Sequence, residues 1–267
     1  MTIRRVGNSA QTGHQCTISD NACDQILESI ESRSGIHYLS PLVGFLPVEI
    51  QARDYSGKSA YDNMLSILGS RIIQARNPFG LVRDKAPSPK TQRAACFSEV
   101  PLHLLTRLAK ARSEYGIAFR KDIIISRGGN PIMYAYKDHE VTSALKALVK
   151  VATGEPENPI WRVTPFVDAP GDYPTGKYFF EWEREWRKLG DFKFFEDEVE
   201  FLIIPAKLHK AARSFFDTAK AENLGPCYEC PFIDPYWKRK KIKPLLPKYV
   251  DKCPLDAQKA GSQPVTL

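Results

Sequence analysis

The sequence predicts an α+β protein, in which helices and strands are mixed without strict alternation. Hydrophobic residues make up 43% of the 267 residues, which is enough to form a substantial core. Segments with helical and with strand periodicity follow one another in irregular order, which argues against a doubly wound parallel sheet. The most apolar run, at 199–205, predicts a central, buried strand.

Periodicity, caps and turn residues place the elements along the chain. Helices are assigned where apolar residues recur every three to four positions after a capping residue such as Asp20 or Ser98, and strands where short apolar runs lie between turns. The predicted elements are, in order, helix 22–33, strand 36–40, helix 60–74, strand 94–98, helix 101–114, strand 115–119, strand 132–136, helix 141–153, strand 178–187, strand 199–205 and helix 206–219. Residues 75–93 and 154–176 are predicted loops, and 120–127 fits either a strand or one or two helical turns.

These elements group into three predicted regions. An N-terminal arm and helix occupy 1–35, a core domain occupies 36–220, and a tail occupies 221–267. The tail is rich in basic residues, Cys and Pro, so we do not expect it to form a core of its own. In the helix over 141–153, the apolar residues expected to face the core are Leu145, Leu148 and Val149.

The segment 178–187 alternates aromatic residues with charged ones. As a strand it would place its aromatic residues on one face, and Glu183 and Glu185 side by side on the other. Such a strand has two interpretations: an amphipathic surface whose glutamates are solvated or paired with arginines, or a rigid carboxylate pair that does chemistry. The pattern alone leaves both open.

Composition restricts the cellular setting and the partners. No apolar run approaches the roughly 20 residues that span a bilayer, and residues 1–5 lack the apolar segment of a secretory signal, so we expect a cytoplasmic protein without a membrane partner. The net charge of +7 favours a polyanionic partner such as nucleic acid. The basic loop at 76–90 and one dense basic run are the candidate nucleic-acid-binding segments; the run comprises Lys238, Arg239, Lys240, Lys241 and Lys243.

The cysteines suggest free thiols rather than disulfides in a cytoplasmic chain. Cys227 and Cys230 form one Cys-x-x-Cys pair, and Cys253 and His209 are weak additional candidates for a zinc site. Cys16 or Cys23 could complete it. Structural zinc requires four ligands, and a single pair is weak evidence for it, so we do not expect zinc.

Four ordered motifs resemble the AbiGi family of bacterial abortive-infection proteins. They are Cys-Phe-Ser-Glu-Val-Pro-Leu at 96–102, Tyr-Gly-Ile-Ala-Phe-Arg-Lys at 115–121, Gly-Gly-Asn-Pro-Ile-Met-Tyr at 128–134 and Glu-Arg-Glu-Trp-Arg at 183–187. The segment His-Tyr-Leu-Ser at 37–40 resembles the first strand of the same family, so the resemblance covers about 36–205. The family is described as the antitoxin half of a two-gene system whose toxin is nucleotidyltransferase-like, which implies a cognate toxin partner.

The same segments distantly resemble ADP-ribosyltransferases of the DarT and poly-ADP-ribose polymerase type. That resemblance implies a largely antiparallel, split sheet with flanking helices around a cleft for NAD. It implies Glu185 as the catalytic acid, with Glu183 and then Glu200 as alternatives, and His37 as the residue that holds the nicotinamide ribose. The other implied NAD-binding residues are Tyr38, Ser40, Arg71, Tyr115 and Tyr134.

Two functions therefore remain for the sequence. The first is an anti-phage enzyme that transfers ADP-ribose from NAD to nucleic acid or protein, in which a fixed carboxylate stabilises the positive charge on C1′. The alternative is a non-catalytic antitoxin or regulator that binds a toxin partner, a nucleotide or nucleic acid, because a fold does not determine an activity.

Overall fold

The computed structural model describes residues 59–174 and 176–246, together with the backbone of Gly44–Phe45. The predicted helix at 22–33 and the predicted strand at 36–40 lie outside the described residues. The described strands are β1 (Gly44–Phe45), β2 (Ile72–Ile73), β3 (Ala94–Glu99), β4 (Gly116–Phe119), β5 (Asn130–Pro131), β6 (Met133–Tyr134), β7 (Val167–Asp168), β8 (Gly171–Tyr173), β9 (Gly176–Tyr178), β10 (Glu185–Leu189), β11 (Phe192–Lys193), β12 (Val199–Ile203) and β13 (Phe232–Ile233). The described helices are α1 (Ala60–Ser70), α2 (Leu105–Ala111), α3 (Lys121–Ser126), α4 (Glu140–Val151), α5 (Ile160–Val163), α6 (His209–Glu222) and α7 (Arg239–Ile242).

Several small sheets, most of them antiparallel, carry the fold. One sheet has the strand order β1-β3-β10-β5, and all its pairings are antiparallel. Another has the order β13-β12-β4, in which β12 pairs antiparallel with β4 and parallel with β13. The predicted α+β class is confirmed, and the apolar run at 199–205 supplies the central strand of the second sheet.

A cluster of aromatic rings holds the two sheets together. Phe97 of β3 lies with its ring centroid 5.0 Å from that of Phe192, and Phe119 of β4 lies 5.2 Å from Phe192 and 4.9 Å from Phe194. All of these contacts are edge-to-face, the arrangement that aromatic quadrupoles favour. Each of these rings is at most 3% exposed, so the cluster forms the centre of the core.

Helix α1 begins with a capping box, in which Ser59 and Asp62 exchange hydrogen bonds. Its end at Ser70 comes earlier than the predicted 74. Arg71 adopts the left-handed conformation, with φ of 56°, and the next two residues leave the helix to pair with β11. Long-range strand pairing therefore overrides the helical periodicity of the sequence.

The predicted continuous strand at 178–187 is wrong. Strand β9 ends at Tyr178, a 3-10 turn covers Glu181–Glu183, and β10 begins only at Glu185. Arg184, between them, has φ of 48°, which breaks the pleat. The aromatic residues pack around this turn, with Trp182 4.1 Å beneath the guanidinium carbon of Arg107. Glu183 and Glu185 therefore do not share one strand face.

The structure also differs from other local predictions. The ambiguous segment 120–127 forms α3, and the predicted strand at 132–136 is shortened to β6, with the separate strand β5 just before it. The predicted loop at 154–176 contains α5, β7 and most of the β8–β9 hairpin. Strand β7 is recognised only through its parallel pairing with β6, a contact between distant residues that local composition does not encode.

The C-terminal part of the described chain packs on the core. Tyr228, Phe232, Ile233 and Ile242 are each at most 7% exposed. The Tyr228 hydroxyl donates a 2.7 Å hydrogen bond to the carbonyl of Leu68 in α1. The described residues all lie within one compact unit.

Candidate functional site

The two leading candidate glutamates meet at the junction of β3 and β10. Glu185, the first residue of β10, pairs opposite Ser98 of β3, and β1 pairs with the other edge of β3. Glu183 lies in the turn before β10, is 4% exposed, and accepts a hydrogen bond from the Ser98 hydroxyl. The turn before β10 therefore places both glutamates beside Ser98: Glu185 lies opposite it in the sheet, and Glu183 bonds its hydroxyl.

Glu185 neutralises the buried Arg187. The Arg187 side chain is 1% exposed, and its Nε and Nη2 donate to the two carboxylate oxygens of Glu185 at 2.7 and 3.2 Å. The same guanidinium also donates to the carboxylate of Asp168 and, at 2.6 Å, to the carbonyl of Pro165. Burying a cation without partners costs several kcal/mol, so these acceptors are what make its position tolerable.

Two tyrosines complete this buried charge cluster. The Tyr134 hydroxyl accepts a 2.9 Å hydrogen bond from the backbone N–H of Glu185, and the Tyr178 hydroxyl donates to Asp168 at 3.0 Å. Burial raises the pKa of Tyr134 to about 12 and also raises the pKa of Tyr178 well above its ordinary value. Both hydroxyls therefore stay protonated at neutral pH. Of the predicted NAD-binding residues, Tyr134 is in contact with Glu185.

Glu183 is paired with a different arginine. Arg112 Nη2 donates to its carboxylate at 2.8 Å. Burial raises the pKa of Glu183, and the opposing charge of Arg112 lowers it by less. The guanidinium of Arg112 also lies 4.9 Å from the ring of Phe180. The carboxylate is thus held between a buried hydroxyl and an arginine.

The remaining candidates contact other elements. Glu200 lies on β12 in the second sheet, where burial raises its pKa and Arg120 lowers it. Arg71 pairs with Glu196 at 3.1 Å, and the ring of Tyr115 makes an edge contact of 5.7 Å with that of Tyr61. The candidates His37, Tyr38 and Ser40 lie outside the described residues.

The cysteine candidates behave as packed thiols. Cys227 Sγ donates to the carbonyl of Phe216 at 3.4 Å, and burial raises the pKa of Cys230 to about 12. His209 Nε2 donates to the carbonyl of Ile204 at 3.0 Å. Within 59–174 and 176–246, no three His, Cys, Asp or Glu side chains are grouped so that they could hold a metal ion. Cys16, Cys23 and Cys253 lie outside the described residues.

Two cavities of different size lie among the described residues. An open cavity of about 570 Å³ runs along α6 and is lined by Lys210, Arg213 and Asp217, among others. A smaller one of about 10 Å³ is lined by Arg112 and Tyr115, among others, and has room for about one water molecule. None of Glu183, Glu185 and Glu200 lines either cavity.

Helix α4 presents an apolar face to solvent, against the prediction that Leu148 faces the core. Val149 and Thr142 are buried, whereas Val141, Leu148 and Val151 are 52%, 57% and 77% exposed. The Thr142 hydroxyl bonds the carbonyl of Ala135 at 2.7 Å, which fixes how the helix is rotated. The apolar stripe on this helix is therefore wider than the face that the core buries, and no other described residue covers the remaining part of the stripe.

A family model described as "Putative abortive phage resistance protein AbiGi, antitoxin" matches residues 69–224. The match covers more than half of the chain and includes β3, β10 and α4. The chain belongs to this family. A comparison with curated proteins and one with solved structures gave no match.

Membership of the AbiGi family confirms the resemblance seen in the motifs and associates the chain with abortive phage resistance and the antitoxin role. The matched region begins within α1 and ends just beyond α6, so it contains the buried charge cluster and the exposed face of α4. Among the described helices, none is both long and apolar enough to cross a membrane.

Sequence reasoning included glutamates paired with arginines as one interpretation, but it did not name the partners that hold the buried charge cluster together. Glu185 and Arg187 are two residues apart on one strand, a spacing that puts both side chains on one face and could have indicated their ion pair. Asp168 lay in a predicted loop, and no local signal indicated its pairing with Arg187.

Proposed function

We propose that this chain is the antitoxin of an abortive-infection pair and that it neutralises its toxin by binding the toxin protein directly. The family description supports the antitoxin role. The observation that supports direct binding is the exposed apolar face of α4, formed by Val141, Ala144, Leu148 and Val151. We refer to these four residues as the α4 seam.

The spacing of the α4 seam is that of a helix-pairing surface. Its residues follow one another at intervals of three, four and three, which are the a and d positions of a heptad. Single exposed apolar residues are ordinary on a protein surface, but a continuous row along one helix is typical of an interaction site. Covering the exposed parts of Val141, Leu148 and Val151 would contribute about 1 kcal/mol each.

The test uses the toxin encoded beside this chain in its two-gene system. The toxin is expressed alone, with the wild-type chain, with Leu148→Asp, or with Ser143→Asp. Ser143 is also exposed on α4 but lies off the seam, so both variants add one negative charge to the same helix. We expect the wild-type chain and Ser143→Asp to restore growth and to co-purify with the toxin. Leu148→Asp should weaken binding at least about ten-fold, because it loses apolar contact and buries a charge.

Two results would contradict this proposal. Growth restored without any complex between the purified proteins would mean that the antitoxin acts without touching the toxin. Full protection and full binding by Leu148→Asp would place the interface elsewhere on the chain. Circular dichroism of both variants provides the folding control.

A second candidate is transfer of ADP-ribose from NAD, favoured by the adjacency of β1, β3 and β10. A serine on the middle strand, Ser98, lies opposite Glu185 and bonds Glu183, which suits a site where a carboxylate stabilises positive charge on C1′. In the structure both carboxylates are paired with arginines, so this activity requires one of them to leave its partner.

Labelled NAD tests this second candidate. The purified chain is incubated with nucleic acid and with cell protein, beside the Glu183→Gln/Glu185→Gln variant. Label transfer that disappears in the variant would support the enzyme. Absence of label transfer, with no rise in the melting temperature when NAD is added, would rule out this second candidate function.

A further inference from the structure

A separate surface concentrates positive charge around α7. Lys238, Lys240, Lys241 and Lys243 are exposed there. From Pro235 to Leu246 the sequence contains no acidic residue. We call these four lysines, with Trp237, the α7 basic surface.

The backbone beneath these lysines is held firmly on the core. Ile242, in the middle of the run, is fully buried and packs in one cluster with Leu105 and Phe201. The Thr106 hydroxyl donates a 2.8 Å hydrogen bond to the carbonyl of Pro235, just before the run. The lysine stems therefore project from a fixed segment, which lowers the entropy lost when they bind a ligand.

Neighbouring acids are already engaged by other groups. Asp234 accepts backbone N–H groups from Ala206 at 2.6 Å and from Tyr236 at 2.8 Å. Glu114 accepts the Tyr236 hydroxyl at 2.7 Å. Within the described part of the chain, none of the four lysines forms an ion pair with a carboxylate.

The ring of Trp237 holds the ammonium group of Lys241 and is not open for stacking. Lys241 Nζ lies 3.7 Å from the ring centroid of Trp237, and the ring of His209 lies 5.2 Å from the same indole. A base could stack on Trp237 only by displacing Lys241. The surface is thus suited to phosphate groups and not to bases.

We infer that the α7 basic surface binds the phosphate backbone of nucleic acid without reading its sequence. Lysines at close spacing on a fixed segment, without competing carboxylates, match the repeating charge of a nucleic-acid strand. An anionic membrane fits less well, because the short α7 directs its apolar residue, Ile242, into the core instead of towards a bilayer. This inference is independent of toxin binding by the α4 seam.

Fluorescence anisotropy with labelled duplex DNA and labelled single-stranded RNA, each about 25 nucleotides long per strand, tests the inference at several salt concentrations. Four phosphate contacts predict a log–log salt slope of about −3.6 on duplex DNA, and a loss of affinity of about 100-fold between about 50 and 200 mM salt. Lys238→Gln/Lys240→Gln/Lys241→Gln should reduce the slope to about −0.9 and weaken binding at least about ten-fold at low salt. Comparison of the two probes tells whether DNA or RNA is preferred.

The matched control is Lys146→Gln/Lys150→Gln/Lys177→Gln, which removes the same charge from exposed lysines elsewhere. We expect this control to bind like the wild-type chain. Equal weakening of both variants would overturn the inference, because the attraction would then come from net charge alone. Absence of binding to either probe at low salt would overturn it too, as would tighter binding to anionic phospholipid vesicles than to both nucleic acids.

Discussion

Replacing Arg187 by Met would show how strongly the buried charge cluster depends on its single cation. The substitution conserves much of the apolar stem but removes the guanidinium that binds Glu185, Asp168 and the carbonyl of Pro165. Two carboxylates would then face each other inside the protein without a counter-ion. We therefore expect a large loss of stability. Because Met fills much of the space of the arginine stem, this loss comes from the unpaired charges and not from a cavity.

Breaking a buried ion pair on one side typically costs about 3–5 kcal/mol. In a protein of this size, 1 kcal/mol corresponds to about 2–4 °C, so the melting temperature should fall by about 6–20 °C. Neutralising the carboxylates in the same background, with Glu185→Gln and Asp168→Asn, should recover part of the loss, because uncompensated charge causes most of it.

Urea unfolding followed by tryptophan fluorescence measures this free energy. The control is Arg184→Met, which removes a half-exposed arginine that pairs with Glu99 at 2.9 Å. This surface pair should contribute at most about 1 kcal/mol. A loss below about 1 kcal/mol for Arg187→Met, or no recovery in the neutralised background, would refute the view that the cluster is dry and mutually compensated.

Three further predictions concern stability and can be measured by the same unfolding experiments. Burial raises the folded-state pKa of Glu183 above 4.5, so the folded chain binds this proton more tightly than the unfolded chain, and the residue makes stability fall as pH rises above 4.5. Glu183→Gln should remove this part of the dependence of unfolding free energy on pH. An unchanged pH dependence would contradict the burial of the carboxylate. Tyr134→Phe should cost about 1–2 kcal/mol, because the backbone N–H of Glu185 loses its acceptor, and a neutral effect would mean that water replaces the hydroxyl. Ile242→Ala should cost about 2–5 kcal/mol, far more than Leu245→Ala at a half-exposed position, whereas equal small effects would show that the C-terminal segment is not part of the core.

Local signals predicted the elements whose burial matches their periodicity. The run at 199–205 became the central strand β12, and the predicted helix at 101–114 contains α2, in which Leu105 and Leu108 are buried. The alternation at 178–187 led to the wrong prediction of one continuous strand. Aromatic residues at every second position occur both in a strand and in a turn whose rings pack in different directions, so the sequence pattern does not distinguish the two. The left-handed Arg184 that separates the two cases has no sequence signature of its own.

The candidate site was predictable only in part. Glu183 and Glu185 do meet beside Ser98, but the arginines that hold them, Arg112 and Arg187, come from tertiary packing and from an overlooked strand spacing. Of the α4 seam, the apolar periodicity singled out only Leu148 and assigned it to the core, because periodicity alone does not reveal which part of an apolar stripe the rest of the fold covers. That information comes only from the position of Val149 against the core.

Calorimetric titration of the purified toxin into the purified chain tests the central claim most directly. The account predicts saturable binding with a negative heat-capacity change, because the α4 seam buries apolar surface, and at least about ten-fold weaker binding by Leu148→Asp than by Ser143→Asp. A chain that protects cells from the toxin but releases no heat and forms no complex with it would contradict direct neutralisation.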